Sequence, residues 1–269
     1  MMVVAGIPQT AGLAYVLIAL PIIAVLWYKG KMTRRVAFLF LLLSLCLGFL
    51  LFSPMAPYQL QMAIIGSGPG PGSPLPFVIG LVAIFMALTF VAGRIFCAQL
   101  CPIGAVQELF YTSPDQKVNA AQKRIIMVIR FVFFIAIMAA GLLSSIALLR
   151  FFGIREFFYL DFYAPAFTIF VILIAVSLFF YRPFCRIFCP FGALLSLAAA
   201  KSLFKIRRTA ACIQCGKCEQ VCPTAEAGQS DAKMECYLCG RCTRACPTKG
   251  ALLYSRTKRQ SDNKRITDE

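Results

Sequence analysis

A chain of 269 residues that is 60% hydrophobic, with a mean hydropathy of +0.78, is too apolar for one soluble domain of ordinary composition, so most of it is expected in lipid. It contains no histidine, which excludes bis-histidine haem, histidine-bound catalytic metals and histidine proton relays. The net charge of +16 is spread over apolar flanks and the tail, not gathered into one recognition stripe, so nucleic acid is not an expected partner.

A helix of about 20 apolar residues crosses the hydrocarbon, and the sequence offers five candidates near 11–28, 34–53, 75–96, 125–149 and 165–181. The first lacks a basic leader and a small-residue cleavage site, so it reads as a retained anchor. Lys29, Lys31, Arg34 and Arg35 crowd the first connection, whereas 53–74 has no charge and is rich in Gly and Pro turns. The positive-inside rule then puts the first connection in the cytoplasm and the second outside. Arg94, Lys117, Lys123 and Arg124, and later Arg182, Arg186 and Lys201, mark further cytoplasmic faces. The expectation is a multi-pass protein of the cytoplasmic membrane, N-terminus outside and C-terminal domain inside. The aromatic connection 150–164 is expected as an external interfacial segment, and 188–204 as a short helix that lies at the membrane surface or covers a cluster.

The 13 cysteines are unevenly placed: eight lie between Cys212 and Cys246, four form two close pairs upstream, and Cys46 stands alone and reads as core packing. Cys212-x2-Cys215-x2-Cys218-x3-Cys222-Pro223 and Cys236-x2-Cys239-x2-Cys242-x3-Cys246-Pro247 each match the bacterial two-cluster ferredoxin run. In that pattern three thiolates of a tight loop clasp one cubane, and the fourth reaches the other. This assigns Cys212, Cys215, Cys218 and Cys246 to one [4Fe–4S] cluster, and Cys222, Cys236, Cys239 and Cys242 to a second. Zinc and disulfides are the rival uses of such cysteines, and the doubled spacing disfavours both. Lys217, Arg241, Arg244 and Lys249 lie beside the cysteines, where they offset cluster charge or face an acidic redox partner.

Two upstream segments repeat each other. Arg94-Ile95-Phe96-Cys97-Ala98-Gln99-Leu100-Cys101-Pro102-Ile103-Gly104-Ala105 parallels Arg182-Pro183-Phe184-Cys185-Arg186-Ile187-Phe188-Cys189-Pro190-Phe191-Gly192-Ala193. Cysteines four apart on a helix share a side, so each copy presents two thiols. Together Cys97, Cys101, Cys185 and Cys189 would hold a third [4Fe–4S] cluster at the membrane boundary. The plainer alternative is that they are buried small hydrophobes or a redox-active pair.

The fold expected is an all-α transmembrane bundle of about five spans with a small C-terminal α+β two-[4Fe–4S] ferredoxin-like domain. Residues 1–204 form the membrane domain with motifs at 97–102 and 185–190, 205–253 the ferredoxin-like domain behind a basic linker from Lys205 to Arg208, and 254–269 a mixed-charge tail. Over roughly 75–250 the chain resembles the NapH/NosR-type membrane polyferredoxins, which carry two Cys-x3-Cys-Pro motifs and a C-terminal pair of ferredoxin runs. NosR-like members add a flavin domain, and assembly proteins of the FixG/CcoG type add an immunoglobulin-like domain, for which this chain leaves no room. The resemblance implies an electron-transfer subunit of a membrane quinol oxidoreductase, linking the quinone pool to an iron–sulfur or cytochrome partner. The alternative is a redox-dependent assembly or regulatory protein for a metalloenzyme, which reduces a metal or senses redox state. For a quinone, Arg130, Glu156 and Asp161 are the polar candidates. Arg130 either snorkels to the interface or faces the bundle to compensate cluster or semiquinone charge, and Glu156 and Asp161 either accept a quinol proton or anchor the interface.

Overall fold

The computed structural model describes residues 10–51, 75–112, 120–144 and 148–256; the 53–74 connection, Lys117 and the tail beyond Arg256 lie outside them. The chain is mostly helical. Helices α1 (Thr10–Tyr28), α2 (Arg34–Leu51), α3 (Leu75–Ala92), α5 (Ala120–Ser144) and α7 (Pro165–Val176) stand at the five places expected from hydropathy. Among the described residues one helical stretch, Gln122–Leu143 in α5, is long and apolar enough to cross a membrane. Ala14–Tyr28, Ile79–Ala92 and Pro165–Val176 are apolar but shorter. Large apolar side chains point outward on all five helices, among them Ile18, Leu39, Ile79, Val132 and Ile172.

Between the long helices lie short elements that turn back into the bundle. Gly93, at φ +74°, ends α3 in a conformation open to glycine. The chain then forms a π turn, Phe96–Leu100, followed by α4 (Pro102–Phe110), which packs along α2. The second copy does the same: a π turn at Phe184–Phe188 precedes α8 (Pro190–Ala200), which packs on α3 and α5. Each returning helix starts with proline at its first position, where the missing N–H costs nothing.

Residues 150–164 pack partly against the bundle, while Phe151, Phe162 and Tyr163 stay exposed. Leu149, Ile154 and Phe158 are buried, Phe152 packs against Phe133, Phe184 and Phe188, and Phe158 reaches Phe49 of α2. The segment, which includes the short helix α6 (Ile154–Phe158), is held there by its inward aromatic rings. Gly153 makes the turn at φ +64°, and a Cβ there would come within 1.7 Å of the Ala166 carbonyl oxygen. α7 has 12 residues, a length of about 18 Å against a hydrocarbon core of about 30 Å.

The expected linker at Lys205–Arg208 is a strand. β1 (Phe204–Arg208) pairs antiparallel with β2 (Leu252–Arg256), Ile206 opposite Tyr254. Residues 254–256, assigned to the tail by composition, therefore close the cysteine-rich unit, because alternate residues Ile206 and Tyr254 bury one face of the pair. The unit is tied to the bundle: Tyr254 Oη donates to the Ala92 carbonyl at 2.6 Å, Leu203 N donates to the Phe90 carbonyl, and Trp27 packs against Tyr254. Cys46, expected in the core, is exposed on α2, and Ser44 occupies the buried face instead. Ser44 Oγ donates to the Gln99 carbonyl at 2.8 Å, a polar bond that a cysteine would make poorly.

Candidate metal centres

The two ferredoxin runs fold into equivalent loops. Gln214 and Leu238, each just before the second cysteine of its run, adopt positive φ (53° and 47°), and Gly216 and Gly240, just after it, do the same (73° and 71°). These left-handed residues curl the loop so that successive thiols face one side, and α9 (Lys217–Gln220) and α10 (Arg241–Ala245) begin at the glycines. Cys222, Cys236, Cys239 and Cys242 line a common cavity with Pro223 and Thr224, the set the spacing pairs across the two runs. For Cys212 and Cys218 the structure gives a common neighbour in Arg208. Arg208 Nη2 donates to Cys218 Sγ at 3.4 Å and feels the charge of Cys212, while α9 packs on α10, which Cys246 follows. Cys215 is exposed.

The paired motifs meet inside the bundle. Cys97, Cys101, Cys185 and Cys189, all buried, line one small cavity walled by Phe96, Ile103, Phe184 and Phe191. The i, i+4 α-helical spacing is replaced by π turns, in which Cys101 N donates to the Phe96 carbonyl at 2.9 Å and Cys189 N to the Phe184 carbonyl at 3.0 Å. Among the described residues no three Cys, Asp or Glu side chains converge tightly enough for a single metal ion. The thiols stand around a space, which suits a polynuclear group better than one zinc with its sulfurs about 2.3 Å away. The Gln99 carbonyl is level with Ser44, and Pro102 sits against Gly48; those residues lie roughly 15 and 21 Å along α2 from its basic end at Arg34.

Arginines cross between the two copies. Arg94 Nη2 donates to the Gly192 carbonyl at 3.3 Å, and Arg182 Nη2 donates to the Ala98 carbonyl at 2.7 Å, with its Nη1 on the Cys97 carbonyl. A Cβ at Gly104 would meet the Cys97 carbonyl at 2.7 Å and Arg182 Nη1 at 3.1 Å, and one at Gly192 would meet the Cys185 carbonyl at 3.0 Å and Arg94 Nη2 at 3.2 Å. Only glycine admits both the turn and the crossing guanidinium. Gln107 completes the shell, donating through Nε2 to Cys185 Sγ at 3.4 Å and accepting from Phe184 N at 3.0 Å.

Four arginines, Arg94, Arg130, Arg182 and Arg186, are each no more than 1% exposed. Glu235, the residue before Cys236, ties three of them: it accepts from Arg94 at 3.1 Å and from Arg130 through both oxygens, and lies 3.9 Å from Arg186 Nε. Glu108 takes Arg182 and Arg241, the latter stacked on Tyr111 and Tyr181. Burial pushes the Glu235 carboxyl up, but Arg130 and Arg94 outweigh it and hold the group below its ordinary value. Burial likewise pushes the Cys185 thiol up to about 11, against the pull of Arg182, and Cys236 up to about 12. Thiols so placed would give up their protons on binding iron, and the buried guanidiniums would offset the resulting negative charge.

The quinone candidates separate. Arg130 faces the bundle and not the interface: besides Glu235 it donates to the Arg186 and Cys185 carbonyls. Glu156 is half-buried on α6 and Asp161 is exposed beyond it. Glu235, Glu108, Gln107 and Tyr237 went unnoticed in sequence; the only available signal was a lone glutamate beside a cysteine run in a chain poor in acids.

Against known families, the 4Fe-4S binding domain matches twice, at residues 74–119 and 164–209, one match on each copy of the paired motif. The chain is related to iron–sulfur electron-transfer proteins. It is 28% identical over 163 residues to the uncharacterized protein MJ0750 of Methanocaldococcus jannaschii, covering 54% of this chain and 65% of that protein. YccM of Escherichia coli (strain K12), whose name proposes it as an electron transport protein, is 29% identical over 162 residues, 54% of this chain and 45% of YccM. Protein NirI of Paracoccus denitrificans is 31% identical over 153 residues, 52% of this chain and 22% of NirI. The chain thus spans between 65% and 22% of the length of these relatives. No solved structure matches it significantly.

Proposed function

We propose that the protein is a multi-pass membrane electron carrier holding three [4Fe–4S] clusters, which passes electrons between a quinone and a protein partner, as the NapH-type reading implies. The observation that carries this is the meeting of Cys97, Cys101, Cys185 and Cys189 in one buried cavity beneath a ferredoxin-like unit with its own four-thiol cavity. When bound, iron–sulfur clusters supply one-electron storage. The chain's own residues do the rest: crossed arginines and Glu235 set the charge around the thiols, and the phenylalanine walls exclude water. Outward apolar side chains on five helices support the membrane setting, and the basic residues at the ferredoxin end support that end as cytoplasmic.

For the quinone, the structure offers a different place from Arg130, Glu156 and Asp161. A cavity of about 380 Å³ opens between α2, α4 and the second ferredoxin loop, with Phe38, Leu41 and Leu109 as apolar wall and Cys239 at its edge. At the wall Gln99 Oε1 and Arg241 Nη1 are buried without a hydrogen-bond partner among the described residues. An acceptor and a donor so placed suit the hydroxyl and carbonyl of a quinol–quinone head after a small side-chain shift.

Anaerobic purification with iron and sulfide quantitation and redox-titrated EPR tests the reading. About twelve irons per chain supports three cubanes; about eight removes the membrane site. A colourless protein with zinc and no iron would end it.

A further inference from the structure

Tyr237, directly after Cys236, and Arg130, the ion-pair partner of Glu235 directly before it, both reach one atom of the other site, the carbonyl oxygen of Cys185. Tyr237 Oη donates to it at 3.4 Å, and Arg130 Nη2, whose partner is Glu235, donates to it at 3.1 Å. The Tyr237 ring, 2% exposed, lies between the two crossing arginines, 4.4 Å from the Arg94 guanidinium carbon and 4.9 Å from that of Arg182. One side chain of the ferredoxin loop thus contacts the equivalent residue in each copy of the paired motif. A tyrosine wedged there has a structural use, since it keys the loop to the bundle. Ring packing alone, however, does not require a hydroxyl directed at the backbone of a cysteine that lines the other cavity.

We infer that Tyr237 is the bridge for electron exchange between the site of Cys222, Cys236, Cys239 and Cys242 and the site of Cys97, Cys101, Cys185 and Cys189. The connection runs from the Cys236 backbone through the tyrosine ring and hydroxyl to the Cys185 carbonyl, and so to the Cys185 side chain. In the exchange one site is oxidised by one electron and the other reduced by one, no bond is made or broken, and the hydroxyl keeps its proton. Tyr237 acts here as a positioning and coupling residue. It makes Cys185 and Cys236 the facing ends of the two sites, an assignment that spacing in the sequence leaves open. The inference rests on the three-cluster reading, because it needs both sites loaded.

The test uses the full chain, purified anaerobically, with iron content and the EPR signals of both sites measured first. Rapid reduction by dithionite followed by freeze-quench EPR then gives the rate at which an electron equilibrates between them. Tyr237→Phe keeps the ring between the arginines and loses only the hydroxyl. Its iron content and midpoint potentials should match the wild type while equilibration slows several-fold. Tyr237→Leu should slow it further and also shift the potential of the membrane site, because Arg94 and Arg182 lose the aromatic face they share. Wild-type equilibration rates in Tyr237→Phe, with both signals intact, would overturn the inference and leave the three-cluster reading standing. Absence of either signal in the unmodified protein would instead overturn that reading.

Discussion

Replacing Glu235 by Gln removes the one carboxylate that holds three buried guanidiniums while preserving its size. Glu235 is 4% exposed, and its partners Arg94, Arg130 and Arg186 are at most 1% exposed, so water cannot take over the lost charge. Breaking a buried ion pair from one side costs about 3–5 kcal/mol, a large share of the roughly 5–15 kcal/mol that holds a folded domain. The same change leaves one more uncompensated positive charge beside the Cys185 backbone, which favours the more negative, reduced form of an iron–sulfur group. At an effective dielectric of about 20 two unit charges interact by about 4 kcal/mol at about 4 Å and by proportionally less farther away, so the expected shift is on the order of tens of millivolts upward for a one-electron couple. Denaturation of the detergent-solubilised protein measures the first quantity, and EPR-monitored redox titration the second. A membrane-site potential that stays put or falls, in a variant of unchanged stability, would refute the electrostatic role.

Since the folded Glu235 carboxyl is held below its ordinary 4.5, its stabilisation is present above that value and is lost as pH falls through the lower folded one. The wild type should lose stability in that acid range, and Glu235→Gln should show a flatter profile in the same denaturation assay. Cys97→Ser or Cys189→Ser should remove one EPR signal and about four irons while sparing the ferredoxin pair; retention of every signal would defeat a shared site for the paired motifs. Gly153→Ala should be poorly folded, since its Cβ would collide with the Ala166 backbone at 1.7 Å, whereas Gly30→Ala, with open space around it but φ +67°, should cost about 1 kcal/mol; comparable thermal stability of the two would show that the turn at Gly153 is free to relax. Gln99→Leu should weaken binding of a short-chain quinol to the purified chain about tenfold, the loss of a hydrogen bond worth roughly 1.4 kcal/mol, with both cluster signals intact; unchanged affinity would place the quinone elsewhere.

The sequence by itself determined the elements whose cause is local. Apolar runs of sufficient length put helices at the expected five places, proline and glycine set the turns after Cys101 and Cys189, and the repeated Cys-x2-Cys-x2-Cys spacing required loops curled by left-handed residues such as Leu238 and Gly240. The spacing also groups Cys222 with Cys236, Cys239 and Cys242, and these four line one cavity. Only the tertiary structure decided what depends on the packing of distant segments. Periodicity describes one helix at a time, so it did not show that 94–101 and 182–189 bring their cysteines to one cavity, or that Phe152 packs against Phe184. For the same reason it placed Cys46 inside, when Ser44 takes the inner face. Glu235 and Tyr237 acquire their meaning only where the ferredoxin loop meets arginines far earlier in the chain, because a buried charge is stabilised by neighbours in space and not by neighbours along the chain.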